Sequence, residues 1–316
     1  MRLIITGGTG LIGRHLTAGL VQAGHKVTIL SRHPDLAGDL PADVRLARWD
    51  GSTSEGWGNL VDEADGIVNL AGESLAGDSL FSLRWTAERK RRILASRLNA
   101  GKAIVQAVTR SRYKPAVILQ VSAVGFYGPR DASPITEEAQ AGTDFLSKVC
   151  VAWEEFTAPV SAFGIRQVIT RLGVVLSARG GALPRQMLPF KFFAGGPIGN
   201  GSQAYPWIHI QDVVEAMRFL LENPDAHGPY NLTAPQYVTN AEFGRALGKA
   251  MHRPYWMPAP AFLFKIAFGE ASIVLLEGQA PSPKKLEGLG YQFRYPEVLP
   301  ALQDILHPGS LAAFSK

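Results

Sequence analysis

Thr6-Gly7-Gly8-Thr9-Gly10-Leu11-Ile12-Gly13 is the stretch whose residue types and spacing most directly imply a chemistry. Gly7 permits a sharp turn after the apolar run Leu3 to Ile5. Gly10 keeps side-chain bulk away from an approaching phosphate, and Gly13 lets a following helix pack closely. The first amides of that helix, at the positive end of its dipole, suit a pyrophosphate. The chemistry implied is dinucleotide binding. Ser31 and Arg32 stand at the end of the next apolar run, where the adenosine ribose is read. An acid there would accept from the ribose hydroxyls, whereas an arginine pairs with a 2′-phosphate, so NADP is expected over NAD. Asp50, after the third run, reads either as an adenine contact or as a turn residue. The run Asp65 to Asn69 ends in Leu70-Ala71-Gly72-Glu73, a small-residue turn of the kind that meets ligands at the carboxyl edge of a sheet. Glu73 beside bound phosphates needs either a cation such as Arg97 or a role toward substrate.

The elements that must position these residues follow from periodicity. Strands are predicted in the apolar run into Thr6, at 26–30, at 44–47, in the run from Asp65 to Asn69, at 116–121 and at 167–171, the last running into Leu172-Gly173-Val174-Val175-Leu176. Helices are predicted at 11–23 and 85–108, with Arg89, Ile93, Arg97 and Gly101 sharing one face. Strands alternating with helices imply a parallel sheet covered on both faces, an α/β doubly wound architecture. After residue 176 the composition shifts to glycine-bracketed, Met/Leu/Phe-rich sequence. Asp212 reads as the N-cap of a helix through Leu221, and Thr239 to Glu242 as a capping box. The expected division is 1–176 plus about 207–236 for the sheet domain, and 177–206 plus 237–316 for a smaller, mostly helical C-terminal substrate lobe.

Composition limits the function classes. The hydrophobic and charged fractions, 46% and 19%, are those of a globular chain. Its most hydrophobic stretch, Met257 to Leu276, is broken by Pro258, Pro260, Lys265 and Glu270, so no spanning segment is expected. The N-terminus enters a strand with no charged-then-apolar leader, and a cytoplasmic location is expected. The one cysteine, Cys150, reads as a small buried hydrophobe. A net charge of +5 suits anionic ligands. The cations are dispersed apart from Arg89-Lys90-Arg91-Arg92, so a nucleic-acid partner is not expected, and with no spanning segment a membrane partner is not expected either. The histidines are too scattered for a metal site. Aromatic residues of the C-terminal lobe read as core rather than as an interaction surface.

Along its whole length the chain resembles the extended short-chain dehydrogenase/reductases, in the atypical branch of "epimerase family" proteins. The resemblance rests on T-G-G-T-G-L-I-G, N-L-A-G-E, I-L-A-S-R, G-V-V-L, G-G-P-I-G-N-G-S-Q, P-W-I-H-I-Q-D-V, V-T-N-A-E-F and L-L-E-G-Q. It implies a Rossmann sheet with NADP over Thr9 to Ile12, Ser31, Arg32, Leu70 and Ala71. Arg92, Arg97 and Val175 are implied as further contacts, and a homodimer through helices 85–108 and 143–162. The superfamily uses a tyrosine four residues before a lysine as acid/base, with a serine holding the substrate oxygen. Ser122 can fill the serine's role. Anchoring on Glu154 places Leu146 and Cys150 at the tyrosine and lysine positions, while a register on Lys148 places Asp144 at the tyrosine. Neither gives Tyr-xxx-Lys. Tyr127 is the nearest phenol, either an acid or a pocket wall, and Glu73 is a candidate carboxylate or half of a salt bridge. His209 reads as hydrogen-bonded structure. Two functions are therefore expected: an NADP-dependent oxidoreductase or epimerase-like enzyme acting on a small molecule, or a non-catalytic NADP-binding sensor or interaction protein.

Overall fold

In a computed structural model the described residues are 1–36, 38, 40–75 and 84–308. Seven strands form one parallel sheet: β1 (Arg2–Thr6), β2 (Lys26–Ser31), β3 (Arg45–Arg48), β4 (Gly66–Asn69), β5 (Val117–Ala123), β7 (Arg166–Leu172) and β10 (Gly228–Leu232). Their spatial order is β3-β2-β1-β4-β5-β7-β10. The chain moves outward from β1 to β3 and then returns to β4 on the other side of β1. That reversal leaves a crevice at the carboxyl ends of β1 and β4. Helices α1 (Leu11–Gln22) and α5 (Ile210–Glu222) cover one face, while α2 (Ala87–Arg110) and α3 (Phe145–Thr157) cover the other. The central strands β1, β4, β5 and β7 are buried on both sides, which is why they read as near-continuous apolar runs, whereas the edge strand β3 is largely exposed.

The sheet's carboxyl edge is fixed by a buried polar chain across three strands. Thr6 Oγ1 donates to Asn69 Oδ1 (2.6 Å), Asn69 Nδ2 donates to Gln120 Oε1 (2.8 Å), and Gln120 Nε2 donates to Val121 O (2.7 Å). Buried amides of this kind must be paired, and the pairing locks the three strand ends at one level.

A second lobe has its own core, built from Leu183, Phe190, Trp207, Phe243, Leu247 and Leu302. It comprises α4 (Leu183–Lys191), β8 (Val174–Leu176), β9 (Trp207–His209), α6 (Asn240–Met251), α7 (Ala261–Phe268), α8 (Ile273–Leu276) and α10 (Val298–Leu306). The short pair β6 (Pro134–Ile135) and β11 (Ala280–Pro281) ties the lobe to the sheet domain, and α9 (Lys284–Gly288) follows.

Three sequence expectations change here. Residues 174–176 do not continue β7: the chain breaks at Gly173, where a side chain would strike Pro206 O and Thr233, and β8 pairs with β9 in a separate sheet. Asp212 does not cap α5. The cap is His209, whose Nδ1 accepts from Gln211 N (3.0 Å), while the Asp212 carboxylate accepts from Tyr291 Oη, Arg294 N and Tyr295 N. Leu286, Leu289, Tyr291 and Phe293 pack on the sheet-domain core, so the tail of the chain serves both lobes. The capping box at Thr239 and Glu242 forms as the sequence indicates.

Candidate functional site

The crevice holds a cavity of about 1220 Å³. Its floor is the turn after β1. Gly7 takes φ +68°, and a Cβ there would lie 2.7 Å from Leu70 O, so the turn and the β4 edge touch only because the residue is glycine. A Cβ on Gly13 would overlap Gly7 O and the Gly8 backbone, which is how α1 starts so close to the strand. Gly10, the N-cap of α1, supplies no capping side chain, and the first-turn amides face outward uncapped. Ala71 N donates to Thr6 Oγ1 (3.3 Å), which fixes the second turn against the first.

Charge on the cavity wall is predominantly positive. Arg14, Arg32, Arg89 and Arg92 line it, with Asp50 and Glu73 as the acids. Arg32 is exposed at the end of β2 and makes no hydrogen bond or ion pair among the described residues. Arg89 is buried, donates to Ser74 O (2.8 Å), and its Nε has no partner among the described residues. Asp50 accepts from Thr53 N (2.8 Å) and Ser52 N (2.7 Å), and these amides hold its carboxyl at about 2. The turn-residue reading of Asp50 is thus realised, on the cavity wall. Glu73 pairs with Arg92 (3.2 Å), while Arg97 Nη1 donates to its main-chain carbonyl (3.1 Å) rather than to its carboxylate.

A second cavity of about 270 Å³ lies beyond the ends of β5 and β7, beneath the second lobe. Leu146 and Cys150, one turn apart on α3, both line it, as do Val124, Leu172, Val174 and Ile273. Asp144 lines it too, so the two α3 registers differ at their second position, where Cys150 faces the site and Lys148 does not. Asp144 caps α3 through Leu146 N and Ser147 N, and Lys148 points to solvent. Burial pushes the Cys150 thiol up to about 12, so it stays protonated and behaves as a hydrophobe. Arg97 lines this cavity, stacked over Trp153 at 4.6 Å with its Nε unpartnered, and burial lowers its pKa. Gln203 presents a buried Oε1 without a partner.

The structure brings Gly7, Thr9, Gly10, Ser31, Arg32, Asp50, Leu70, Ala71, Gly72, Glu73 and Arg92 to the wall of the first cavity. Leu11 and Val175 instead flank Gly181, Ile12 packs on the core, Gly13 packs under the turn, and Arg97 belongs to the second cavity. Ser122 lines neither cavity: it is 1% exposed, next to the lining residue Ala123, with its hydroxyl within reach of the Cys150 thiol that lines the second cavity. Tyr127 is not brought to either cavity. It is 1% exposed, donates to Asn231 Oδ1 (2.6 Å) and accepts from Arg171 Nη1 (3.0 Å), and burial raises its pKa. An acid must reach the proton it gives, and this phenol is tied into a structural network with the Arg171–Glu154 pair (2.8 Å). Sequence reasoning passed over Arg14, Trp49, Ser96, Asn99, Gln186 and Gln203. Ser96 and Asn99 lie one and two turns beyond Arg92 on the same face of α2, a signal that was available. Gln186 and Gln203 carry none.

Comparisons with known proteins fit this geometry. The NAD-dependent epimerase/dehydratase family model matches residues 3–233, and a domain of unknown function, DUF1731, matches residues 259–305. Epimerase family protein YfhF of Bacillus subtilis is 38% identical over 309 residues, covering 97% of this chain and 98% of that protein. The crystal structure of human epimerase family protein SDR39U1 (isoform 2) with NADPH superposes with a TM-score of 0.84 at 34% identity, covering 96% of this chain and 99% of the human one. A nucleoside-diphosphate sugar epimerase from Corynebacterium glutamicum is similar at TM-score 0.74 and 32% identity, over 96% of this chain and 58% of its own.

Proposed function

The chain belongs to the NAD-dependent epimerase/dehydratase family, and on that premise we propose that it is an NADP-dependent oxidoreductase or epimerase-like enzyme acting on a small molecule. Its residues fit the dinucleotide: uncapped α1 amides suit the pyrophosphate, and Arg32, without a partner of its own, suits a 2′-phosphate. The NADPH held by the human relative supports the same choice. When bound, the cofactor supplies hydride chemistry; the protein's part is binding, orientation and exclusion of water.

The observation that carries the enzymatic reading is the second cavity, set beyond the nucleotide crevice, with Ser122 one residue from its wall at Ala123 and against the lining thiol of Cys150. A protein that only binds the dinucleotide has no need of it. Ser122 is assigned to hold a substrate oxygen. Leu146 and Cys150 supply apolar walls where the superfamily has its proton relay, so the proton comes from solvent or from the substrate itself. NADPH oxidation screened over carbonyl compounds and nucleotide sugars tests this, with cofactor affinity measured separately by fluorescence titration. Turnover that Ser122→Ala reduces supports the assignment; tight NADPH binding with no turnover in the whole panel defeats it.

That last outcome would favour a second reading, a non-catalytic NADP-binding sensor or interaction protein. Its motivating observation is the apolar pair Leu146 and Cys150 itself. Partners captured with and without NADPH distinguish the two, because a partner list that NADPH leaves unchanged counts against sensing.

A further inference from the structure

The most hydrophobic stretch of the sequence enters the core only at its far end, where Ala271 is buried and Phe268 and Ile273 pack beside Trp85 and Ile93. No residue of α7 is buried, and along this stretch Trp256 is 66%, Phe262 59% and Ile266 70% exposed. A second exposed pair, Phe192 (75%) and Phe193 (56%), follows α4. Backbone bonds join the two strips into one surface. Trp256 N and Met257 N both donate to Gly195 O (2.8 and 3.0 Å), Ala259 N donates to Pro197 O (2.8 Å), and Trp256 Nε1 donates to Phe193 O (2.9 Å). Phe193 is held at φ +58°, a conformation disfavoured for an aromatic residue and one that burial does not impose on this half-exposed ring.

Charge on this surface has one sign. Segments 183–200 and 251–269 contain Arg185, Lys191, Arg253 and Lys265 and no aspartate or glutamate. Glu270, the next acid along the chain, is taken by Lys90. The Arg253 guanidinium lies over the Phe193 ring at 4.7 Å, so cation and aromatic are presented together.

We propose that this surface seats the protein on the face of an anionic lipid bilayer. The exposed Trp, Phe and Ile side chains enter the headgroup boundary, and Lys191, Arg253 and Lys265 meet lipid phosphates. An apolar surface this continuous is rarely left bare on a soluble monomer, and tryptophan and phenylalanine rimmed by cations are what the bilayer interface favours. A second copy fits less well, because a two-fold contact sets the patch against itself and brings like charges together with no acid to offset them. The absence of a spanning segment led the sequence reading to expect no membrane partner. It bears on crossing a bilayer and not on resting upon one.

Five of the six tryptophans are buried and only Trp256 is exposed, so lipid bromines report on this surface alone. The experiment uses vesicles of phosphatidylcholine and phosphatidylglycerol in equal parts, with brominated acyl chains, against phosphatidylcholine alone. The protein is expected to co-sediment with the mixed vesicles at low salt, to be released severalfold at high salt, and to show quenching of Trp256 on binding. Phe262→Ser with Ile266→Ser abolishes both signals. Lys191→Glu with Arg253→Glu lowers partitioning roughly tenfold. Unchanged thermal melting of these surface variants shows that they fold. The proposal is overturned by failure to bind the mixed vesicles, by binding without quenching, or by binding that both double variants leave intact. It is equally overturned by a concentration-dependent dimer that Phe262→Ser with Ile266→Ser dissociates, which would make a second copy the occupant.

Discussion

Arg32 and Cys150 show how far single residues constrain the chemistry. A 2′-phosphate contact from an otherwise unpartnered arginine is a charge-assisted interaction worth about 1.5–3 kcal/mol. Arg32→Ala is therefore expected to weaken NADPH by roughly tenfold to a hundredfold and NADH only slightly, as read by fluorescence titration. Equal losses for both would remove the 2′-phosphate assignment. At Cys150 the question is why the superfamily lysine is missing. The thiol is buried and within electrostatic reach of Arg97, itself buried and paired only with carbonyl oxygens. A lysine at this position would add a second desolvated cation beside the first. Cys150→Lys is expected to lower the melting temperature sharply, and Arg97→Met to restore part of the loss, with a coupling of about 1 kcal/mol or more in a double-mutant cycle. Additive effects would show that the two positions do not sense each other.

Elements position these residues through close contacts that tolerate little. Gly13→Ala forces α1 away from the β1 turn, because the added methyl overlaps Gly7 O and Gly8. The expected cost is about 1–3 kcal/mol by denaturant melting, accompanied by loss of NADPH binding. At the start of α5, His209 combines a cap with a buried ring. Nδ1 accepts from Gln211 N, so the neutral ring carries its proton on Nε2, 3.4 Å from Asp304 Oδ2. Desolvation outweighs the Asp304 carboxylate and lowers the imidazole to about 4. The folded-state pKa lies below the unfolded one near 6.5. The stabilisation is thus complete above about pH 6.5 and is lost as pH falls toward 4, on the order of 3 kcal/mol in all. His209→Asn keeps an N-cap acceptor and removes the titration, so its stability should vary less across that window. An unchanged pH slope in the variant would place the effect elsewhere.

At the scale of the whole molecule, the two lobes are joined by segments that return rather than by one linker. Asp212 on α5 accepts from Tyr291 Oη, Arg294 N and Tyr295 N, pinning the C-terminal tail to the sheet domain. Asp212→Ala leaves those buried donors unpaired, at a cost of about 2–4 kcal/mol. The protein is expected to melt in one transition, and Asp212→Ala to lower it; a separate early transition in the variant would show that this pin, more than the shared core, couples the lobes.

The sequence alone determined what depends on local spacing. The glycine turn, Arg32, the strand runs and the α2 face of Arg89, Ile93, Arg97 and Gly101 were legible because backbone conformation, strand period and helix period are written residue by residue. Only the tertiary structure decided what depends on which surfaces meet. It turned Leu146 and Cys150 toward the second cavity, withdrew Tyr127 into the Arg171 network and gave the Asp212 carboxylate to the tail. It also left α7, in the most hydrophobic stretch, on the surface. Hydropathy records how much a residue gains from burial, and the fold alone determines whether a partner surface exists to bury it.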